Sequence, residues 1–73
     1  MTLNLLKKSQ KGKITSINMD QVPLKLIEMG CLPGNELEVL QIAPLSDPIY
    51  IKVNDSFISI RKELAQQIEV ELI

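Results

Sequence analysis

Histidine and tryptophan are absent from this 73-residue chain, and cysteine occurs once, as Cys31. A single thiol cannot form an internal disulfide, and without imidazole it cannot complete the tetrahedral ligand set of a structural zinc site. The absence of histidine also removes the commonest general base for a serine or cysteine nucleophile. We therefore expect no catalytic residues, no cofactor and no metal site, and we predict that the protein is not an enzyme. Cys31 itself we interpret as a small buried hydrophobic residue.

Aromatic residues are scarce, because Tyr50 and Phe57 are the only two. Base stacking on nucleic acid usually needs several aromatic side chains on one sheet. The formal net charge is −1, which lacks the basic excess typical of proteins that bind phosphate backbones. A loose basic region near the N-terminus, which we interpret as solvated, contains Lys7, Lys8, Lys11 and Lys13. We predict no nucleic-acid partner, although a small barrel that binds nucleic acid is an alternative.

Long apolar runs are also missing, and none approaches the roughly 20 residues of a membrane span. Lys7 and Lys8 interrupt the apolar N-terminus where a secretory signal would need its hydrophobic core. One unpaired cysteine suits a reducing compartment. We expect a cytoplasmic protein without membrane insertion, forming one domain over residues 1–73 with an aliphatic core.

Residues 22–29 predict a short helix. Asp20 is expected to cap its N-terminus through the carboxylate, as acidic and hydroxyl side chains commonly do. Gly30 can adopt the left-handed backbone that ends a helix, and Pro33 prevents the helix from resuming. Gly34 then permits a tight turn toward the next strand. This arrangement would fix a small apolar helix at a defined angle on the rest of the domain.

The predicted helix has two apolar sides. One stripe, at i, i+4 and i+7, contains Val22, Leu26 and Met29 and would pack on the core. The second pair, Leu24 and Ile27, is surplus unless the fold or a partner covers it. Lys25 and Glu28 would lie at its rim.

Five short strands are predicted, at residues 13–19, 36–43, 49–53, 57–60 and 68–72. Within residues 36–43 the apolar alternation changes phase, which indicates a bulge or bend of the kind that closes small barrels. A helical turn is predicted at residues 61–67. Another is expected at residues 2–8, capped by Thr2 and ended by Gly12, with three leucines packing inward: Leu3, Leu5 and Leu6. The pattern predicts a mainly β fold, a small bent barrel with one short inserted α-helix.

Four segments resemble motifs of a known family. Residues 25–34 are similar to the helix-and-turn motif of FeoA proteins, roughly Leu-x-x-Leu-Gly-x-x-Pro-Gly. Residues 42–49 resemble the Ala-Pro-Leu-x-Asp-Pro loop of that family, and residues 60–62 and 68–70 resemble its closing Leu-Arg and final strand. The similarity runs from about residue 6 to residue 72. Two departures are conservative, namely Met29 for the usual leucine and Asn54 with Asp55 where glycine is frequent.

The resemblance implies an SH3-like barrel and an accessory protein of bacterial ferrous iron uptake. It also implies a partner, FeoB, a membrane permease with a cytosolic GTP-binding domain, which would hold the protein at the inner face of the membrane. The family pattern supplies no iron ligands. We hypothesise that the helix and its following turn form the contact with FeoB, through Leu24, Lys25, Leu26, Ile27 and Glu28.

Two other interpretations remain open at the level of sequence. The chain could be a stand-alone SH3-like regulatory module related to the C-terminal domain of iron-dependent repressors. Exposed strand edges in a small barrel also make a homo-oligomer conceivable.

Overall fold

The computed structural model describes all 73 residues. Five antiparallel strands form one sheet in the order β4-β3-β2-β1-β5. The strands are β1 (Lys11–Ile17), β2 (Glu36–Ile42), β3 (Ile49–Val53), β4 (Ser56–Ile60) and β5 (Ile68–Leu72). Helix α1 (Leu24–Glu28) follows β1, and α2 (Lys62–Ala65) joins β4 to β5; 3-10 turns cover Leu3–Leu5 and Pro44–Ser46. All five predicted strands are present, and the order of the elements is the one predicted.

The core is aliphatic and takes alternate residues from each strand. In β3 the alternation is complete, with every second residue buried from Ile49 to Val53. No polar or charged side chain is buried. The core cluster consists of Leu3, Leu6, Ile14, Val22, Cys31, Leu37, Val39, Ile49, Ile51, Val53, Ile58, Ile60, Ala65, Ile68 and Val70.

Two irregularities bend the sheet. The pairing of β2 with β3 shifts register between Val39 and Gln41, and the pairing of β1 with β5 shifts between Ile14 and Ser16. Each shift adds a residue to one strand and increases its local twist, which lets a short sheet curl around a single core. The phase change predicted a bulge in the second strand, and the register shift confirms it.

The N-terminal turn differs from the prediction in its inward side chains. Leu3 and Leu6 are buried, but Leu5 is 58% exposed, so its predicted inward packing is wrong. The cause is the 3-10 geometry, in which side chains three residues apart lie on the same side of the turn. Leu3 and Leu6 therefore share the buried side, and Leu5 lies on another side that faces solvent. The predicted capping by Thr2 is also wrong, because its hydroxyl donates to the side chain of Asn4 and not to a backbone amide of the turn.

Gly12 does not end the N-terminal segment but lies inside β1, which begins two residues earlier than predicted. A Cβ atom at this position would lie 3.1 Å from Leu6 Cδ1 and 3.3 Å from Val70 Cβ. Glycine is therefore suited to this position because the N-terminal turn and β5 approach the β1 backbone closely.

The entry into α1 also differs from the prediction. Asp20 makes no capping bond, because the helix begins only at Leu24 with Pro23 at the cap position. The preceding turn is organised by Asn18 instead. Its side-chain oxygen accepts from the Asp20 amide at 3.1 Å, and its carbonyl accepts from the amides of Gln21 and Val22. The strand before this turn consequently ends at Ile17.

Candidate partner-binding site

Helix α1 is fastened at its C-terminal end by two glycines with positive φ. Gly30 has φ +112° and Gly34 has φ +98°, which confirms the predicted helix end and tight turn. The Gly30 carbonyl accepts from Asn35 Nδ2 at 2.7 Å. The Gly34 amide donates to the Ile14 carbonyl at 2.7 Å, which ties the turn to β1. The short helix is thus held rigidly on the sheet although it has barely more than one turn.

The apolar residues of α1 differ in exposure. Leu24 is 68% exposed and is the most exposed apolar side chain of the helix. Leu26 and Ile27 are half-buried and pack against the core, as does Met29 after the helix. Of the surplus apolar pair, only Leu24 is therefore left uncovered.

The polar rim of the helix consists of Lys25 and Glu28, both exposed. Neither forms an ion pair, since the single ion pair of the molecule joins the N-terminal amino group to Glu69 at 3.5 Å. Two charges of opposite sign therefore flank Leu24 without an internal partner. Nearby, Cys31 is fully buried, which bears out its interpretation as a packing residue, and burial raises the pKa of its thiol.

A second exposed apolar side chain lies on the loop between β2 and β3. Leu45 is 96% exposed and has φ +67°, a left-handed conformation that costs leucine roughly 1–2 kcal/mol. Hydrogen bonds hold this conformation: Ser46 donates to the Ala43 carbonyl, and Ala43 donates to the Pro48 carbonyl, both at 3.0 Å. Strained residues fixed by their surroundings are often functional. The sequence motif marked this loop, but neither the strain nor the exposure of Leu45 could be predicted from it.

The same loop is anchored to α2. Asp47 Oδ1 accepts a hydrogen bond from the Lys62 amide at 3.0 Å, so a residue of the loop serves as the N-terminal cap of a helix fifteen residues away. This bond restrains the loop that carries Leu45.

Ligand-binding features are sparse elsewhere. Two open surface hollows, of about 310 and 200 Å³, are lined mostly by polar side chains, with Leu64 and Leu37 as their single hydrophobic members. No group of three or more Cys, Asp or Glu side chains is placed to hold a metal ion. None of the helices has the length and apolar character needed to cross a membrane.

The lysines of β1 are balanced by acids across the sheet. Lys11 lies opposite Glu38, and Lys13 lies opposite Glu36 on one side and Glu71 on the other. Opposite charges at paired positions reduce the local field. This placement agrees with the interpretation of the N-terminal lysines as a solvated face.

Five strongly bent antiparallel strands around one aliphatic core define a small SH3-like barrel. The FeoA domain family model matches residues 1–72, and the chain belongs to this family.

Known relatives and structures agree with this assignment. A Fe(2+) transport protein A/Fe(2+) transporter FeoB fusion protein of Porphyromonas gingivalis is 47% identical over 49 residues, which are 67% of this chain and 6% of the fusion protein. The solution structure of iron(II) transport protein A from Clostridium thermocellum is 38% identical, with a TM-score of 0.87 over 100% of this chain and 46% of that one. The chain thus spans less than half of either protein.

The fold is shared more widely than the sequence. The crystal structure of IdeR from T. acidophilum has a TM-score of 0.83 over 100% of this chain and 34% of that protein, at 20% identity. Similarity at this level of identity shows a common fold and nothing about a common function.

Proposed function

We propose that this protein is a non-enzymatic accessory protein of ferrous iron uptake that binds the cytosolic part of a FeoB transporter. Contact with the transporter would place it at the inner face of the membrane. The proposal agrees with the family assignment and with a surface that offers exposed apolar side chains but no cluster of potential metal ligands.

The observation that carries the proposal is the fusion protein of Porphyromonas gingivalis. Its name joins transport protein A to a FeoB transporter in one polypeptide, and 49 residues of this polypeptide align with this chain at 47% identity. Covalent linkage raises the effective concentration of two domains to about the millimolar range, so even a weak contact between them is populated. We infer that this chain makes the corresponding contact as a separate molecule.

The contact surface we propose is α1 and its rim, comprising Leu24, Lys25, Leu26, Ile27 and Glu28. Leu24 would be the apolar anchor, because it is 68% exposed in the free domain and its burial would contribute about 1–2 kcal/mol. Leu26 and Ile27 would support it from the core side. Lys25 and Glu28 have no internal ion-pair partner and would fix the orientation of the complex.

Leu45, on the loop between β2 and β3 and not on α1, is a second proposed contact. Its side chain is 96% exposed, and the hydrogen bond from the Lys62 amide to Asp47 restrains the loop that carries it. Little backbone entropy would therefore be lost on binding. A pre-ordered leucine fits an apolar pocket of a partner. The hollows of this chain are mostly polar and would not receive it.

The test is a binding titration against the isolated cytosolic domain of FeoB, without nucleotide, with GDP and with a non-hydrolysable GTP analogue. We expect saturable binding in at least one nucleotide state. Leu24→Gln should weaken it about tenfold, the equivalent of 1.4 kcal/mol. Leu45→Asn should weaken it similarly, because asparagine keeps the left-handed backbone and removes only the apolar group.

Leu5→Gln is the matched control, because Leu5 is also an exposed leucine, at 58%, but lies on the N-terminal turn. It should bind like the unmodified protein. Absence of binding in all three nucleotide states would refute the proposed function. Binding that tolerates both Leu24→Gln and Leu45→Asn would keep the partner and remove these two anchors from the interface.

A further inference from the structure

The two edges of the sheet are protected to different degrees. The outer edge of β5 is covered by the start of the chain: the Val70 amide donates to the Met1 carbonyl at 2.7 Å, and Thr2 bridges to Glu69. β5 also carries two charged residues, Glu69 and Glu71. Covering segments and charges of this kind are the usual protection of edge strands against pairing with other chains.

The opposite edge, β4, has none of this protection. Its sequence is Ser-Phe-Ile-Ser-Ile, with no charge and no proline, and it pairs with β3 in a regular register without a bulge. No backbone hydrogen bond outside the regular strand pairs involves residues 56–60, and no side chain bonds to them. The outward backbone groups of β4 are therefore free to pair with another strand.

We propose that the outer edge of β4 pairs antiparallel with β4 of a second copy of this chain, about a two-fold axis. The two sheets then continue into one another. This interface uses none of the α1 residues and does not depend on the proposed binding of FeoB.

The register follows from the faces of the strand. Directly opposed residues point to the same side of a sheet, so buried positions must oppose buried positions. Placing Ile58 opposite Ile58 of the second copy satisfies this rule and pairs all five residues of each strand. Ser56 then opposes Ile60 of the second copy, and Phe57 opposes Ser59 of the second copy.

The outer face of this arrangement is complementary to itself. Within one chain, Lys52 opposes Phe57 and Tyr50 opposes Ser59. Across the two-fold axis the row therefore reads Lys52, Phe57, Ser59 of the second copy and Tyr50 of the second copy. With strands about 4.8 Å apart, both aromatic rings can cover the small serine between them.

Phe57 is the side chain that gains most from this contact. It is 69% exposed in the single chain, and the Lys52 ammonium lies 5.7 Å from the centroid of its ring. In the pair it would be enclosed between Lys52 and the second copy's Tyr50. No like charges meet along the β4 edge. An extended segment of another protein could form the same backbone hydrogen bonds. Only a second copy, however, places a Ser59 and a Tyr50 beside Phe57 on both sides of the two-fold axis.

The pairing is expected to be weak. Five residues a side fall well short of the roughly 1,000 Å² that a stable interface buries, so we expect a dissociation constant on the order of 10–100 µM. Reversible dimerisation in this range would respond to local protein concentration.

The test combines sedimentation equilibrium with amide hydrogen exchange on the full chain, from about 5 to 500 µM, a range that brackets the expected constant. We expect a monomer–dimer equilibrium and concentration-dependent protection confined to residues 56–60. Ser59→Lys places a charge at the edge and should weaken dimerisation at least tenfold. Ser16→Lys is the matched control, an exposed strand serine on β1, and should dimerise normally.

Three results would overturn the proposal: a monomer throughout this range, a dimer that Ser59→Lys leaves unchanged, or exchange of the β4 amides that does not vary with concentration. Because the exchange measurement uses the unmodified chain, it decides the question even if a variant fails to fold.

Discussion

Gly30 lies against the side chain of Asn54, so closely that a Cβ atom on Gly30 would be 2.5 Å from Asn54 Nδ2. This approach seats the end of α1 against the turn between β3 and β4. Two separate demands therefore meet at Gly30, because its φ of +112° is itself strained for any residue with a Cβ atom.

Gly30→Ala should destabilise the domain more than Gly34→Ala. Gly34 has a similar φ of +98° but nothing within 4 Å of its would-be Cβ, so it isolates the backbone strain, roughly 1–3 kcal/mol. Gly30→Ala also displaces the Asn54 amide, the far end of an exposed and flexible side chain, so the additional loss should be small. Urea denaturation of both variants measures the difference, and Asn54→Gly should remove the additional part in a double-mutant cycle. An equal loss in the free energy of unfolding for the two variants would show that the Asn54 side chain moves aside without an energetic penalty.

Asp47→Ala should lower the free energy of unfolding by about 1 kcal/mol, because the Lys62 amide loses its acceptor at 3.0 Å. Asp47→Asn keeps an oxygen acceptor and should cost less. Asp20→Ala is the control, since its side chain forms no hydrogen bond despite its capping-type sequence position, and it should leave the urea midpoint unchanged. A larger loss for Asp20→Ala than for Asp47→Ala would contradict the observed caps.

Cys31 makes stability depend on pH in the alkaline range. Burial raises the pKa of its thiol above the ordinary 9.0, so the folded state retains the proton more strongly than the unfolded state. The buried thiol therefore contributes fully to the free energy of unfolding at pH values below the thiol pKa of the unfolded chain. This contribution is lost as the pH rises through the higher thiol pKa of the folded protein. Compared with Cys31→Ala, the unmodified protein should lose relative stability above about pH 9.

Urea titrations of both proteins from about pH 7 to 10.5 give this difference, because the two proteins differ in no other ionisable group. The native thiol should also resist a thiol-specific reagent until the chain unfolds. Rapid labelling of the folded protein would show that the thiol is accessible. A stability difference between the two proteins that does not change with pH would show that folding leaves the thiol pKa unchanged.

Leu24→Gln and Ile27→Gln should differ in stability although they are three residues apart on one helix. Leu24 is 68% exposed, and its replacement should change the free energy of unfolding by less than about 0.5 kcal/mol. Ile27 is half-buried and packs on the core, so its replacement should cost about 1–2 kcal/mol. Thermal denaturation compares them, and equal midpoints would mean that Ile27 contributes no packing.

Much of the fold could be predicted from alternation and turn residues. The pattern of Ile49, Ile51 and Val53 places one strand correctly to the residue, because a strand with one buried face needs a period of two. The phase change in β2 predicted a bulge for the same reason. Gly30 and Gly34 were predictable because few other residues tolerate a positive φ.

Other features could not be predicted because they depend on residues distant in sequence. The cap of α2 is Asp47, supplied by a loop that local capping rules do not consider. Gly12 was mistaken for a terminator because its crowding comes from Leu6 and Val70, the latter at the far end of the chain. The exposure of Leu5 followed from 3-10 geometry, which three leucines in four residues do not distinguish from an α-helical turn.

The sequence by itself determined the element order, the bent barrel and the family, since hydrophobic period, glycine placement and motif spacing are local properties. Only the tertiary structure decided which apolar residues remain uncovered: Leu24 but not Ile27, Leu45 on its strained loop, and the edge of β4 but not that of β5. Exposure is decided by what the rest of the chain leaves unoccupied, and a local pattern does not contain that information.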